Sequence, residues 1–141
     1  MNEKAQCVTY WDSSSVLSAL FKDKNSRKAL EWSRKDGIHL ISTLAYAEVC
    51  AVISRIKRER LLADVLINAA FEALETGPWR HLNIQPEWDE VKNISLRWPL
   101  RGADLWHLAT AKILQEKLPE LIILTFDKNL KKAAQAENLI K

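Results

Sequence analysis

The chain has 141 residues, 48% hydrophobic and 28% charged, a globular balance that excludes a low-complexity chain and fits one domain over residues 1–141. Its three glycines, Gly37, Gly77 and Gly102, lie far apart, which excludes glycine-rich phosphate and dinucleotide loops. Net charge is +3, from 21 Lys and Arg against 18 Asp and Glu, so carboxylates gathered in one pocket would leave a distinctly basic remaining surface, suited to a polyanion handled through metal ions.

Met1 to Lys4 is polar and mixed in charge, without a secretory-leader pattern. Cys7 to Trp11 (CVTYW) predicts a buried strand stopped at Asp12-Ser13-Ser14, and Ser14 to Phe21 a helix. Ser26 to Lys35 predicts a second helix, ended by Asp36-Gly37. Ile38 to Ser42 predicts a strand, Leu44 to Arg58 a long helix and Leu61 to Glu75 another, ended by Thr76-Gly77-Pro78. The run Ile38 to Ala47 lacks Asp, Glu, Lys and Arg but falls well short of the ~18 apolar residues of a membrane span. Trp79 to Ile84 suits a short strand and Pro86 to Arg97 a helix, broken at Trp98-Pro99. Ala103 to Lys117 predicts a helix, Leu121 to Phe126 (LIILTF) a buried strand and Asp127 to Ala136 a last helix. Asn138 to Ile140 suits one more edge strand. Cys7 and Cys50 have no metal-ligand spacing, which fits a reduced, cytoplasmic protein.

Strands alternating with helices predict an α/β fold: three layers, α/β/α, around a mainly parallel sheet of four to five strands. In such folds sites lie beyond the carboxyl ends of the strands. Asp12 follows CVTYW and Asp127 follows LIILTF, so both belong at that edge, where each also suits a helix N-cap. Glu48 is the only charge between Ile38 and Ser54 and shares a helical face with Leu44, Ala45, Ala51 and Val52, a costly place for an unpaired carboxylate. Asp104 opens a helix and shares a face with Leu108 and Ala111; capping is its simpler reading alone. Taken together, the four can converge above the sheet. Hard oxygen donors without Cys or His suit Mg²⁺ or Mn²⁺, ions able to activate water in phosphodiester cleavage.

Four segments carry a family resemblance: YWDSSSVLSAL, STLAYAEVCAVISR, LRGADLWHLATA and ILTFDKNLKKAA. In that order they resemble the PIN domain family, most closely its stand-alone toxins of VapC type. The resemblance implies a Mg²⁺- or Mn²⁺-dependent endoribonuclease with Asp12, Glu48, Asp104 and Asp127 as metal-binding and catalytic acids. It also implies an RNA substrate, a cognate antitoxin protein that binds near the acidic pocket, and a homodimer. An inserted basic side chain of that partner would neutralise the pocket.

Ser14 and Thr125 match the small hydroxyls of the Asp-x-Ser and Thr-x-Asp segments and can orient a carboxylate, or simply cap locally. Arg55, at the end of the Glu48 helix, and Arg101 and Lys128, close in sequence to Asp104 and Asp127, are candidate RNA-backbone contacts. His107, three residues after Asp104, falls in an apolar helix and is expected to be structural. Trp11 and Trp106 belong to core runs, while Trp32, Trp79, Trp88 and Trp98 sit among charges and breakers where indoles mark interfaces. Two other functions compete. A receiver-type phosphoacceptor would need an Asp after IHLIS, where Thr43-Leu44 stand, and a Lys where Asp127 stands. A non-catalytic PIN-fold binding module would not need four acids.

Overall fold

The computed structural model describes residues 6–140, so Met1 to Lys4, the segment without a leader pattern, lies outside the described residues. The elements in chain order are β1 (Cys7–Trp11), α1 (Ser13–Leu20), α2 (Ser26–Ser33), β2 (Gly37–Ser42), α3 (Thr43–Arg58), α4 (Asp64–Thr76), β3 (Trp79–Leu82), α5 (Trp88–Arg97), α6 (Gly102–Lys117), β4 (Leu121–Leu124) and α7 (Lys128–Ala136). The four strands pair in the order β3-β2-β1-β4, every pair parallel. Val8 on β1 lies opposite Ile38 on one side and Leu121 on the other. The chain winds from β1 outward to β3, then crosses back to lay β4 on the free side of β1. Winding therefore reverses between β1 and β4, and the crevice at the carboxyl ends of those two strands is the topological switch point.

The pleat sends successive side chains to opposite faces, which divides the apolar residues into two cores. Tyr10 and Leu40 face a core with Ile94, Leu108, Leu114 and Leu130 from α5, α6 and α7. Their neighbours Trp11 and Ile41 face the other, with Val16, Val49, Ile53, Ile67 and Leu74 from α1, α3 and α4. Helices thus cover both faces of the sheet, the predicted three-layer α/β/α architecture. No helix among the described residues is long and apolar enough to cross a membrane.

Some expectations change. The tail around Asn138 to Ile140 forms no fifth strand. Asn138 takes a left-handed backbone (φ 63) just after α7, and Leu139 N–H returns to the Ala134 carbonyl. This glycine-type helix stop uses Asn, which tolerates that conformation. One ladder-like bond remains, from Ile123 N–H to the Leu139 carbonyl at 2.8 Å. The same motif closes α3: Arg60 is left-handed (φ 53) and Leu61 N–H bonds the Ile56 carbonyl, so α4 starts at Asp64 rather than Leu61. β4 ends at Leu124, two residues short of the predicted strand, because Thr125 turns to serve the site below.

The tryptophans are also redistributed. Trp79 is buried, 6% exposed, with its ring edge-on to Trp11 at 5.4 Å. Trp98 is half-buried and donates to Glu137, and Trp106 is half-buried rather than in a core. Trp88 is 91% exposed.

Candidate active site

Asp12 is the first residue past β1 and caps α1. Its backbone is still extended, and its Oδ1 accepts the Ser15 N–H at 2.9 Å, which starts the helix. Ser14 Oγ donates to Oδ1 at 2.8 Å and to Oδ2 at 3.0 Å, and Thr125 Oγ1 donates to Oδ2 at 2.5 Å. Ser14 Oγ also accepts the Phe126 N–H, and Thr125 Oγ1 the Asp127 N–H, so these hydroxyls stitch the ends of β1 and β4 together. Thr125 thus donates to the carboxylate of Asp12 on the neighbouring strand, and toward Asp127 of its own segment it accepts only the backbone N–H. Asp12 is 3% exposed, and burial pushes its carboxyl above the usual range against the pull of these donors.

Asp127 caps α7, with Oδ2 accepting the Leu130 N–H at 2.8 Å. Both strand-end acids are therefore helix caps. For a caged ion, that leaves them only their remaining lone pairs.

Asp104 sits in the first turn of α6, half-buried. Burial raises its carboxyl first, then the charges of Asp127 and Asp12; His107 opposes them and Glu48 adds a further push. Asp104 is thus within electrostatic reach of each of the other three acids.

Glu48 lies on α3, half-buried, and its Oε1 accepts from His107 Nε2 at 2.8 Å. His107 is 1% exposed; its Nδ1 meets Tyr10 Oη at 2.6 Å, and Tyr10 Oη in turn bonds Ser42 Oγ at 3.1 Å. Ser42 Oγ accepts the Ala45 N–H and so caps α3. The expectation of a structural His107 is correct as to burial but misses its contact with Glu48. The available signal was its place three residues after Asp104, hence on the same helical face. Tyr10, on the inward side of CVTYW, carried no separate signal.

Among the described residues, no Lys or Arg pairs with any of the four acids; the ion pairs join Arg27 to Glu31, and Arg97 and Lys112 to Glu137. This uncompensated oxygen set suits a hard divalent cation. No three of the described His, Cys, Asp or Glu side chains stand close enough to cage an ion in their present positions. The donor chemistry fits such an ion.

The candidate RNA contacts are dispersed. Arg101 is the exposed N-cap of α6, three residues before Asp104, and Lys128 is the exposed first residue of α7. Arg55 is exposed in the last turn of α3, two helical turns beyond Glu48, or ~10 Å along the axis. A groove of about 510 Å³ between the start of α5 and α6 is lined by Trp88, Lys92 and Trp106 among others. The Trp106 ring meets the His107 ring edge-on at 5.5 Å.

The family model for the PIN domain matches residues 9–136. No curated protein sequence matches the chain. Several solved structures share its fold. VapC20 of Mycobacterium tuberculosis, described as a sarcin-ricin loop cleaving toxin, is 16% identical with a TM-score of 0.56, covering 89% of this chain and 94% of its own. PAE2754 of Pyrobaculum aerophilum is 17% identical with a TM-score of 0.60, covering 92% and 81%. VapBC2 of Rickettsia felis, bound to a DNA fragment from its promoter, is 14% identical with a TM-score of 0.54, covering 85% and 99%. At these identities the likeness is one of fold.

Proposed function

The chain belongs to the PIN domain family, and on that premise we propose that it is a metal-dependent endoribonuclease, the toxin of a toxin–antitoxin pair, that hydrolyses RNA phosphodiesters. One observation carries this reading: Asp12 and Asp127 stand just past β1 and β4 at the switch-point crevice, with Asp104 half-buried in the first turn of α6, and among the described residues no Lys or Arg pairs with any of them. The toxin setting draws support from similar folds, one described as cleaving the sarcin-ricin loop and one belonging to a VapBC complex.

Asp12, Glu48, Asp104 and Asp127 would hold Mg²⁺ or Mn²⁺. When bound, such an ion supplies Lewis-acid polarisation of the phosphoryl oxygens and a water acidic enough to attack phosphorus. Asp12 is the rigid member, fixed by Ser14, Ser15 and Thr125. Asp104 carries the destabilising charge that a cation relieves. Arg101 and Lys128, at the helix starts beside Asp104 and Asp127, would meet backbone phosphates, and Arg55 a more distant stretch of the strand. This chemistry needs no side-chain nucleophile. The proposed partners are a cognate antitoxin, whose basic side chain would fill the same acidic site, and a second copy of the chain in a homodimer. The same reading places the protein in the cytoplasm, with cellular RNA as its substrate.

The test is incubation of purified protein with single-stranded RNA and, separately, DNA in chelator, Mg²⁺ and Mn²⁺. The reading expects RNA cleavage only when a metal is added. Cleavage that persists in chelator, or RNA left intact under every metal, contradicts it.

A further inference from the structure

Two buried histidines sit on opposite faces of the sheet and are satisfied differently. In one core, His39 Nδ1 accepts from the Trp11 indole at 3.0 Å and its Nε2 meets the Lys35 carbonyl at 2.9 Å. These are an indole and a backbone group, which is all that a packed histidine needs. In the other core, His107 is bound instead by a phenol and by the carboxylate of a proposed metal ligand.

The second arrangement forms a closed frame. Tyr10 comes from β1, Ser42 from the end of β2, Glu48 from α3 and His107 from α6. Tyr10 Oη bonds both Ser42, whose hydroxyl starts α3, and His107, which grips Glu48 farther along the same helix. Burial holds the Tyr10 phenol well above its ordinary value, so it stays a neutral hydrogen-bonding group. The start of the Glu48 helix and the end of the Glu48 side chain are thus referred to one fixed oxygen. Left unheld at a half-exposed position, a glutamate with three side-chain torsions would sample many rotamers.

We propose that His107 is a positioning residue for Glu48: its imidazole, fixed by Tyr10, holds Oε1 and so presents Oε2 to a divalent cation. The inference rests on the metal-dependent reading given above. Partners behind a metal ligand typically change metal affinity 10–100-fold when removed.

The test is Mn²⁺ binding by the whole chain, read by electron paramagnetic resonance of the free ion, with no RNA present. An amide nitrogen in His107→Gln can reach the place of Nε2, whereas His107→Asn places its amide near Nδ1, toward Tyr10. The expected result is a Kd within about threefold of the original protein for His107→Gln and weakened about tenfold or more for His107→Asn, at matched melting temperatures. Equal, unchanged affinity in both variants overturns the proposal. If both variants unfold, Tyr10→Phe decides, since it keeps the ring and removes only the hydroxyl; weakened Mn²⁺ binding supports the frame and unchanged binding overturns it. A chain that binds Mn²⁺ with this pattern yet leaves RNA intact refutes the nuclease reading and not the positioning role. A chain that cuts RNA while His107→Asn binds Mn²⁺ normally refutes the positioning role alone.

Discussion

Thr125 donates a hydrogen bond to Asp12 across 113 residues of sequence, joining the carboxyl end of β4 to that of β1. It bridges the two strands between which the winding of the sheet reverses, so it ties the fold's switch point to the most buried acid of the site. Thr125→Val keeps the side-chain shape and deletes the donor. We expect it to cost about 1–3 kcal/mol, because a buried carboxylate loses compensation, and to raise the Asp12 carboxyl further. Thr125→Ser should restore most of the loss. Urea unfolding at pH 7 measures both, and a Thr125→Val chain as stable as the original would show that the bond contributes nothing.

Asp104→Asn should raise the melting temperature in chelator by about 3 °C at pH 7. The sign follows from the raised carboxyl: its charge is disfavoured in the folded state, so removing the charge stabilises. The gain should fade as pH falls through the raised folded value and be gone below the ordinary Asp value of 3.8, where the group is neutral in both states. Added Mn²⁺ should stabilise the original protein more than the variant. Scanning calorimetry with and without the ion checks all three; a lower melting temperature for Asp104→Asn in chelator contradicts the account that burial and the neighbouring acids disfavour its charge.

Glu137 behaves in the opposite sense. Burial alone would push it up, but hydrogen bonds from Lys112, Trp98 and Arg97 outweigh that and hold its carboxyl down at about 2, from an ordinary 4.5. Its stabilising contribution is therefore full above about pH 4.5 and is lost as pH falls through about 2. Glu137→Gln should cost about 1–3 kcal/mol at pH 7 and almost nothing at pH 2. Because Glu137 also joins the ends of α5 and α7 to α6, hydrogen exchange in those ends should quicken in the variant. A stability difference independent of pH would rule out the ion-pair account.

Gly37 opens β2 with φ +143, opposite Cys7 on β1. A Cβ there would overlap the Cys7 carbonyl oxygen. Gly37→Ala should destabilise by about 2 kcal/mol or more, since both the backbone conformation and the strand pairing resist it. Chemical denaturation checks this, and a neutral effect would mean that the strand start shifts freely.

Much of the fold is written in local patterns. CVTYW, IHLIS and LIIL are apolar because both faces of those strands are covered, and the helices between them show one-sided periodicity. β3 is less distinct because WRHL buries its first residue and exposes the next two. Trp79 looked like an interface indole because its neighbours are breakers and charges; its burial is decided by Trp11 on a distant strand. The tail failed as a strand for one residue, Asn138, whose left-handed turn no hydrophobic pattern encodes. In the site, strand-end Asp12 and Asp127 and the isolated Glu48 stood out by position. The partner of Thr125 and the frame linking Tyr10 to His107 did not, because they depend on how strands order in the sheet. Strand order is a tertiary fact without a local signature.

The central claim is that the four acids act as one metal-binding nuclease centre. Its most direct test is the rate of single-stranded RNA cleavage against Mn²⁺ concentration for the original protein and for Asp104→Asn. The account predicts a saturable, metal-dependent rate that falls by about 100-fold or more in a folded Asp104→Asn. An Asp104→Asn chain that cuts RNA at the original rate, with the same Mn²⁺ dependence, would contradict it.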